Sequence, residues 1–362
     1  MADGAVGPAG RAGPAGAAGA AGAAGTAGAA EFDGGDGGAG TAGIEATAYW
    51  ATGPGAGELR RETLPALGEA DALVRTLYSG ISRGSELLVR RGEVPPSQHD
   101  RMRAPLQVGD FPFPVKYGYL AVGVVEDGPA ALIGERVFCL HPHQDRFVVP
   151  ADRLVPLPDD VPSRRAILTG TVETALNAMW DAAPCAGDRI AVVGGGLVGG
   201  AVALLLRRFP LARLQVVEPD AGRRAHLAGT GLDAVAPDQA ESDCDLVFHA
   251  SATEAGAATA LSLLGDEADL VELSWFGQRA PRLPLGEDFH SRRLRIIASQ
   301  VSRIGAARRH RRDPAARLAF ALTLLADDAF DALIASESSF ADIGTAFADL
   351  DNGAGCVAIR YA

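Results

Sequence analysis

The clearest chemical signal in the sequence is a glycine-rich turn between an apolar strand and an apolar helix. The strand is predicted over Arg189–Val193 and the helix over Ala201–Arg207. The turn has the spacing GxGxxG. In this pattern the first glycine permits a tight bend, the second lets a pyrophosphate approach the backbone, and the third lets the helix pack on the strand. N–H groups at the helix N-terminus would receive the phosphates. The residues predicted to bind a dinucleotide here are Gly194, Gly196, Leu197, Val198 and Gly199.

A carboxylate near this turn bears on the choice of nucleotide. A second strand, Leu214–Val217, leads into Glu218, nineteen residues after Gly199. A carboxylate at this distance typically accepts hydrogen bonds from the adenosine ribose, and its charge disfavours a 2′-phosphate. NAD is therefore the expected cofactor. NADP stays open, because Arg223 or Arg224 could neutralise the additional phosphate.

The elements around the turn predict an α/β protein with two unlike parts. Over 44–163, short strands alternate with Gly and Pro turns, which is typical of a β-rich domain. Over 164–299, apolar strands alternate with helical stretches, which predicts a doubly wound parallel sheet. The last part, 300–362, is expected to return to the first domain through two helices and a closing strand at Cys356–Tyr361.

Of the first 43 residues, 33 are Ala, Gly or Pro. Glycine recurs at every third position from Gly4 to Gly28, which is the collagen period, but only Pro8 and Pro14 fall in the repeat. A triple helix needs far more proline. We therefore interpret 1–43 as a disordered tail.

Composition narrows the classes of partner. The chain has 33 Lys and Arg against 45 Asp and Glu, so its net charge is −12, which disfavours nucleic acid or an anionic membrane and favours a small-molecule substrate. Its 4 cysteines form no CxxC pair, so neither a disulfide framework nor a zinc knuckle is indicated. The N-terminus lacks the basic and apolar regions of a secretory signal, and we expect a cytoplasmic protein.

Three segments resemble loops of the medium-chain dehydrogenase/reductase family that carry the ligands of its catalytic zinc. They are Tyr78–Glu86, Gly118–Glu126 and Ile167–Ala175. The resemblance covers 44–362 and implies a GroES-like β-rich catalytic domain, a Rossmann domain and NAD(P)-dependent oxidoreductase activity. The pattern from Gly80 to Glu86, followed by Gly92 and Pro95, is similar to the branch that contains bacteriochlorophyllide hydroxyethyl dehydrogenases.

The positions that match the family's zinc ligands are changed. They hold Ser82, Tyr119 and Gly170, and hydroxyl groups are poor ligands for zinc. The four-cysteine lobe of many relatives is absent as well, so the resemblance implies a member without zinc and we assign no metal. An alternative metal set is offered by a short strand-like segment, in which alternate side chains share a face: His141, His143 and Asp145.

Hydride transfer to a carbonyl without zinc needs another group that protonates the developing alkoxide. Tyr119 is the first candidate, and Lys116 would lower its pKa if the two side chains converge. Ordinary packing of an aromatic residue in a half-buried strand explains Tyr119 as well. His143 is the second candidate and His290 the third, and Ser82 is included among the catalytic residues.

Further residues are assigned to the cofactor and the substrate. Arg83 matches a basic residue that faces the pyrophosphate in the family, Thr174 lies where its chain passes the nicotinamide, and Ser251 follows the strand Leu246–Ala250. For Trp275 and Phe276, two of the substrate-pocket candidates, packing in the core is an equally good explanation. The substrate-pocket candidates are Glu86, Lys116, Glu173, Trp275, Phe276 and His290.

Three functional hypotheses remain at this point. The leading one is zinc-independent hydride transfer between a nicotinamide and a secondary alcohol or ketone. An enoyl or quinone reductase is the second, because zinc-free members of the family often reduce conjugated double bonds. The third is an NAD(H)-binding sensor that performs no chemistry. The resemblance also implies a homodimer, formed through the edge of the dinucleotide domain near Leu270–Leu285.

Overall fold

The computed structural model describes residues 43–352 and 355–362, which belong to one unit. The disordered tail expected over 1–43 falls, except for its last residue, outside the described residues. In the first part of the chain, strands dominate. The elements are β1 (Glu45–Gly53), β2 (Ala56–Thr63), β3 (Asp71–Ser82), α1 (Arg83–Arg91), β4 (Val108–Gly109), β5 (Val115–Lys116), β6 (Ala121–Asp127), β7 (Arg136–Cys139), β8 (Arg146–Pro150) and β9 (Val155–Pro156).

A helix replaces the loop that the sequence pattern indicated after Ser82. Helix α1 begins there because the Glu86 carboxylate, four residues on, accepts a hydrogen bond from the Ser82 backbone N–H at 2.8 Å. It ends at Gly92, whose φ of 69° is left-handed and lets its N–H bond back to the last turn. Leu88 and Val89 lie on the buried face of the helix.

The second part of the chain forms the parallel sheet. Its strands and helices are α2 (Ser163–Ala166), α3 (Thr169–Ala182), β10 (Arg189–Val193), α4 (Leu197–Leu206), β11 (Arg213–Val217), α5 (Ala221–Ala228), β12 (Ala234–Val235), β13 (Cys244–His249), α6 (Glu254–Ser262), β14 (Leu264–Glu272), α7 (Asp288–Ser291) and β15 (Arg295–Ala298). The strand order is β12-β11-β10-β13-β14-β15, with each neighbouring pair parallel. The first strand therefore lies in the middle, and the chain reverses its direction of travel between β10 and β13. This is the doubly wound Rossmann order, and it confirms the predicted fold class.

The chain then returns to the β-rich part. The last elements are α8 (Pro314–Leu324), β16 (Ile334–Ser339), α9 (Ile343–Ala348) and β17 (Cys356–Arg360). Strand β17 pairs antiparallel with β3, so that Cys356 lies opposite Ser82. It completes a seven-stranded sheet in the order β16-β17-β3-β6-β7-β9, with β8 on β3, while β2, β1, β5 and β4 form a second sheet. Short 3₁₀ helices lie at Pro96–Gln98, Ala151–Arg153, Pro237–Gln239, Asp328–Leu333, Phe340–Asp342 and Asp349–Asn352.

Strands that are short or exposed were not predicted from the sequence. Strand β2 has mostly exposed residues, and therefore shows no alternation of apolar and polar side chains. Strands such as β12 and β15 are too short, at 2 and 4 residues, to show a period. Among the described residues, no helix combines the length and the apolar character needed to cross a membrane.

One apolar core joins the two parts. Leu120 and Phe138 of the β-rich sheets belong to the same buried cluster as Ile190 of β10, Leu204 of α4 and Leu322 of α8. Helix α3 packs between them and is buried over most of its length. A shared core of this kind holds the first turn of α3, next to Tyr119, in a fixed relation to the parallel sheet.

A buried ion pair clamps α3 to α8. Arg317 donates from Nε to the Glu173 carboxylate at 2.9 Å, and its side chain is 3% exposed. The same guanidinium donates to the Asn177 side-chain carbonyl and to the Val301 backbone carbonyl. Burial raises the pKa of Glu173, and Arg317 opposes that shift. Loss of either partner would therefore leave the other buried without its countercharge.

Replacing Arg317 by methionine leaves the Glu173 carboxylate buried without its partner. We expect the variant to lose about 3–5 kcal/mol of unfolding free energy in urea titrations. Arg60→Met is the control, because Arg60 and Glu58 form an exposed pair whose loss costs about 1 kcal/mol or less. Equal losses in the two variants would contradict the clamp, whereas partial recovery in Glu173→Gln/Arg317→Met would support it.

Candidate functional site

The glycine turn lies at the carboxyl end of β10, where the sheet reverses. Gly194 has a φ of 104°, and a Cβ on it would lie 2.8 Å from the Ser251 backbone, just beyond β13. A Cβ on Gly199 would collide with the Gly194 carbonyl oxygen. The first and third glycines are thus required by contacts within the protein itself.

The second glycine is different, because nothing in the protein requires it. Gly196 has a φ of −77°, which any residue adopts, and no described atom beyond its chain neighbours lies within 4 Å of the position a Cβ would take. It directly precedes Leu197, where α4 begins without a side-chain cap. An open backbone at a helix N-terminus fits an anion such as a pyrophosphate.

Glu218 lies immediately after β11, beside this turn. Its side chain is 4% exposed, and its two oxygens accept hydrogen bonds from the backbone N–H groups of Gly195 at 3.0 Å and Asp220 at 2.9 Å. Arg223 approaches the same carboxylate at 3.3 Å. The Arg224 guanidinium instead donates to the backbone carbonyls of Glu218 and Pro219. Both arginines, proposed as partners of a 2′-phosphate, thus already have partners within the protein.

Sequence reasoning missed a polar chain on the other side of the turn. His249 is fully buried and is the register partner of Glu272 in the neighbouring strand β14. Its Nδ1 lies 2.7 Å from the Glu272 carboxylate, and its Nε2 lies 2.7 Å from the Ser251 hydroxyl. The available signal was weak, since it consists of a histidine two residues before Ser251 and an acidic residue within the next apolar stretch of the sequence.

Two of the predicted catalytic residues meet in the β-rich part. Tyr119 is half-buried, and the side chains of Ser82 and Ser85 lie close enough to its hydroxyl to act on its pKa. Burial, followed by the charge of Glu86, raises the pKa of Tyr119 to about 12 although the two serines oppose the shift. A Cβ on Gly170 would lie 3.8 Å from the Tyr119 ring. The three positions that resemble the zinc ligands therefore cluster.

His143 is close to this cluster but enclosed within the protein. Its Nε2 lies 2.8 Å from Glu86, its Nδ1 lies 2.7 Å from the Ser79 hydroxyl, and its side chain is 1% exposed. Ser79 in turn meets the Tyr361 hydroxyl at 2.9 Å. With both ring nitrogens occupied, His143 holds Glu86 behind Tyr119 and does not face a substrate. Glu86 is likewise buried.

Three predicted residues lie elsewhere. Lys116 pairs with Glu62 at 2.6 Å and with the Gln144 side chain at 3.0 Å, so it does not converge on Tyr119, whose pKa is raised and not lowered. Glu173 is taken up by the clamp to α8. His290 is exposed on α7, where the following turn bonds to Leu264 at the start of β14, away from the carboxyl edge that carries the glycine turn.

The remaining candidates lie along the two sides of the site. Trp275 packs against the apolar cluster that includes Tyr119, and the Phe276 ring lies 6.2 Å from the His249 ring. The segment after β14 therefore connects the cluster near Tyr119 with His249. Thr174 donates to the Gly170 carbonyl at 2.9 Å, and Arg83, half-buried, is the first residue of α1 after Ser82.

The alternative metal set is not assembled. His141 stacks on Phe147 at 3.8 Å, and burial lowers its pKa to about 3. Asp145 accepts from the Thr47 N–H at 2.7 Å, while His143 binds Glu86. Within 43–352 and 355–362, no group of three or more His, Cys, Asp or Glu side chains is arranged to hold a metal ion.

Solved structures share this architecture. A protein described as a short chain alcohol dehydrogenase from Escherichia coli CFT073, complexed with NADH, superposes with a TM-score of 0.69 at 16% identity over 87% of this chain and 99% of its own. A zinc-binding dehydrogenase from Sinorhizobium meliloti 1021, bound to NADP, superposes with a TM-score of 0.69 at 17% identity over 88% of this chain and 99% of its own. L-Idonate 5-dehydrogenase from Escherichia coli K-12 superposes with a TM-score of 0.72 at 14% identity over 88% of this chain and 98% of its own. No protein-family model matches the sequence. These likenesses show a common fold.

The three glycines give a direct test of the turn. Gly196→Ala should change the unfolding free energy by about 1 kcal/mol or less, because the added methyl meets open space, yet it should weaken ADP binding in calorimetric titrations. Gly199→Ala should cost about 1–3 kcal/mol, since the helix must move away from the strand. Undiminished ADP binding by folded Gly196→Ala would show that the turn holds no phosphate.

Proposed function

We propose that the protein is an NAD-dependent oxidoreductase that transfers hydride between the nicotinamide and a secondary alcohol or ketone without zinc. The observation that carries this proposal is the open Gly196 backbone at the reversal point of a Rossmann sheet, where dinucleotides bind. The NADH and NADP bound to structures of the same fold support it. Glu218 favours NAD, because its buried carboxylate would face a 2′-phosphate at short range.

The donor set argues against a catalytic zinc. Ser82 and Tyr119 supply hydroxyl groups and Gly170 supplies no side chain, whereas zinc takes thiolate, imidazole or carboxylate. Glu86, the nearest carboxylate, is engaged by the Ser82 N–H and His143. This support is independent of the missing cysteine lobe.

Tyr119 is the proposed proton donor. Bound NADH would supply hydride to the carbonyl carbon. The Tyr119 hydroxyl, with a pKa of about 12, is a neutral phenol near neutral pH, and it donates its proton to the carbonyl oxygen. Ser82 and Ser85, which act to lower the pKa of Tyr119, would stabilise the charge that remains on its oxygen after transfer. Trp275 and Phe276 would close the pocket against water from the side of β14.

Other assignments extend the proposal. The catalytic part would comprise 44–163 together with the return over 300–362, and the cofactor domain 164–299. A cytoplasmic homodimer would form along the edge strand β15, where Ile296 is exposed and is accompanied by exposed Leu283 and Leu285. The pattern from Gly80 to Glu86 supports a relationship to the bacteriochlorophyllide hydroxyethyl dehydrogenase branch.

Turnover of NADH with panels of ketones and enones tests the reaction. We expect ketones to be reduced, and Tyr119→Phe to lower kcat by roughly 10²–10⁴-fold because the proton donor is lost. Tyr117→Phe is the matched control, since the Tyr117 ring lies 6.0 Å from the Tyr119 ring in the same cluster, and it should keep wild-type turnover. Turnover of enones alone would favour the enoyl or quinone reductase. Tight NADH binding without any turnover would favour the sensor.

The pH profile gives a second readout of Tyr119. A tyrosine with an ordinary pKa is half ionised at pH 10, whereas the raised pKa of Tyr119 keeps its proton there. As the pH is raised, the kcat of ketone reduction should therefore show no decrease with a midpoint near pH 10. A midpoint at that pH in wild type that disappears in Tyr119→Phe would contradict the assigned environment of the phenol.

Metal analysis tests the zinc-free part. Protein incubated with excess zinc and then dialysed should retain far less than one zinc per chain by mass spectrometry, because hydroxyl ligands bind zinc weakly. Added chelator should leave ketone reduction unchanged. Retention of one equivalent of zinc, or loss of activity with chelator, would overturn this part of the proposal.

A further inference from the structure

A strongly basic segment follows the last strand of the parallel sheet, in a chain whose net charge is −12. Residues 303–312 contain five arginines and one histidine and no acidic residue. The reaction proposed above makes no use of them. All of these arginines are exposed, and they are Arg303, Arg308, Arg309, Arg311 and Arg312.

The arginines on either side of this segment each pair with an acid, and those within it do not. The flanking pairs are Arg292–Asp266, Arg295–Asp269 and Arg317–Glu173. Within residues 43–352 and 355–362, none of the five arginines of 303–312 forms an ion pair. The next acid along the chain, Asp313, is used to cap α8, where it accepts the Ala316 N–H at 2.7 Å. The positive charge of the segment is therefore available to an anion from outside the protein.

Helix α3 holds the segment in place. The buried Gly305 donates its N–H to the Asn177 side-chain oxygen at 3.2 Å. A Cβ on Gly305 would lie 2.7 Å from the Asp181 carboxylate and 3.0 Å from the Trp180 backbone. Just after β15, the Ser299 hydroxyl donates to Asp181 at 2.6 Å. These contacts anchor the segment on the C-terminal half of α3, so the arginines that follow Gly305 have a defined position.

A helical turn brings three of the arginines together. The Arg309 N–H bonds to the Gly305 carbonyl at 3.1 Å, and the Arg312 N–H bonds to the Arg308 carbonyl at 3.1 Å. Residues three and four apart are neighbours on such a turn, so Arg308 lies beside both Arg311 and Arg312. Like charges at this spacing repel. An anion bound between them would relieve the repulsion.

These three arginines line a cavity of about 580 Å³ that also has aromatic walls. Its lining residues are Trp180 of α3, Phe320 of α8, Arg308, Arg311 and Arg312. Phe320 is 49% exposed although its side chain is large and apolar. Small-molecule sites have volumes of about 300–1,000 Å³ and combine aromatic walls with a few polar groups. Guanidinium groups bind phosphate through paired hydrogen bonds, and aromatic side chains stack on planar rings.

The cavity is separate from the proposed cofactor site. The first turn of α3 lies beside Tyr119, and Trp180 lies ten residues beyond Gly170, which is about 15 Å along the helix. The glycine turn follows β10, and the basic segment follows β15, three strands away and about 14 Å across the sheet. A ligand in this cavity would therefore bind in addition to the dinucleotide.

We propose that this cavity binds a nucleoside polyphosphate, with its phosphates on Arg308, Arg311 and Arg312 and its base against the rings of Trp180 and Phe320. Three guanidinium groups match the several negative charges of a polyphosphate, and the two rings match a planar base. This inference does not rest on the proposed function.

Calorimetric titration of GTP into protein saturated with NADH tests the site. GTP is the probe because its base differs from that of the proposed cofactor, which would fill the glycine turn. Arg311→Gln should weaken GTP binding by roughly 3- to 10-fold, the value of one exposed charge-assisted contact. Arg309→Gln is the matched control, since it removes the same charge from the same turn but Arg309 is not a lining residue. It should change the affinity by less than about twofold.

Phe320→Ala distinguishes a nucleotide from an inorganic polyphosphate. It should weaken GTP by roughly 3- to 10-fold through loss of the ring contact. Inorganic tripolyphosphate carries no ring, so its binding should be unchanged. Phe209→Ala is the control, because Phe209 is also an exposed phenylalanine, at 38%, and does not line the cavity. It should change neither affinity.

Several outcomes would overturn the inference. They are absence of GTP binding by the NADH-saturated wild type, equal weakening in Arg309→Gln and Arg311→Gln, and equal weakening of GTP and tripolyphosphate in Phe320→Ala. GTP binding that is lost in Gly196→Ala and kept in Arg311→Gln would place the nucleotide at the glycine turn, against the inference. If wild-type protein fails to bind NADH, the proposed function is refuted, and the same GTP titrations without NADH decide this site. Thermal melting of every variant excludes misfolding as the cause.

Discussion

The site depends on a close approach of bare backbone at the reversal point of the parallel sheet. Gly194 lies against the Ser251 backbone, and Gly199 lies against the Gly194 carbonyl. Neither contact tolerates a Cβ. Because these contacts are made between main chains, they fix the ends of β10 and β13 and the start of α4 more rigidly than side-chain packing would. The open face at Gly196 is a consequence, since the glycines on either side hold the backbone in place around it.

Three carboxylates organise the polar groups of the site, of which Glu218 and Glu86 are buried and Glu272 is 20% exposed. Glu218, Glu272 and Glu86 each accept a hydrogen bond from a backbone N–H next to the site. Glu272 and Glu86 each also hold a histidine, and in both cases the second ring nitrogen meets a serine hydroxyl. Because a carboxylate only accepts, the histidine nitrogen that faces it carries a proton. The two carboxylates thus fix which nitrogen of each ring meets the serine hydroxyl.

The β-rich part contributes through its return strand. Strand β17 brings the end of the chain beside β3, so that Tyr361 reaches Ser79 and Cys356 lies opposite Ser82. The same sheet carries Tyr119 to the N-terminal end of α1, close to Ser82 and Ser85. The apolar core that runs from Phe138 to Ile190 then fixes this group relative to the parallel sheet. The proposed chemistry needs both Tyr119 and the glycine turn that would receive the cofactor.

The sequence by itself determined the elements whose signals are local. Glu218 follows the GxGxxG turn by nineteen residues, and each apolar strand or helix is recognised from its own short segment. The structure has the predicted Rossmann sheet. Only the tertiary structure decided which polar groups meet. Glu173 found Arg317, 144 residues away, Lys116 found Glu62, 54 residues away, and His249 found Glu272 in the next strand. A buried charge must have a partner, but its choice among many exposed candidates follows from the packing of distant elements and leaves no period in the chain.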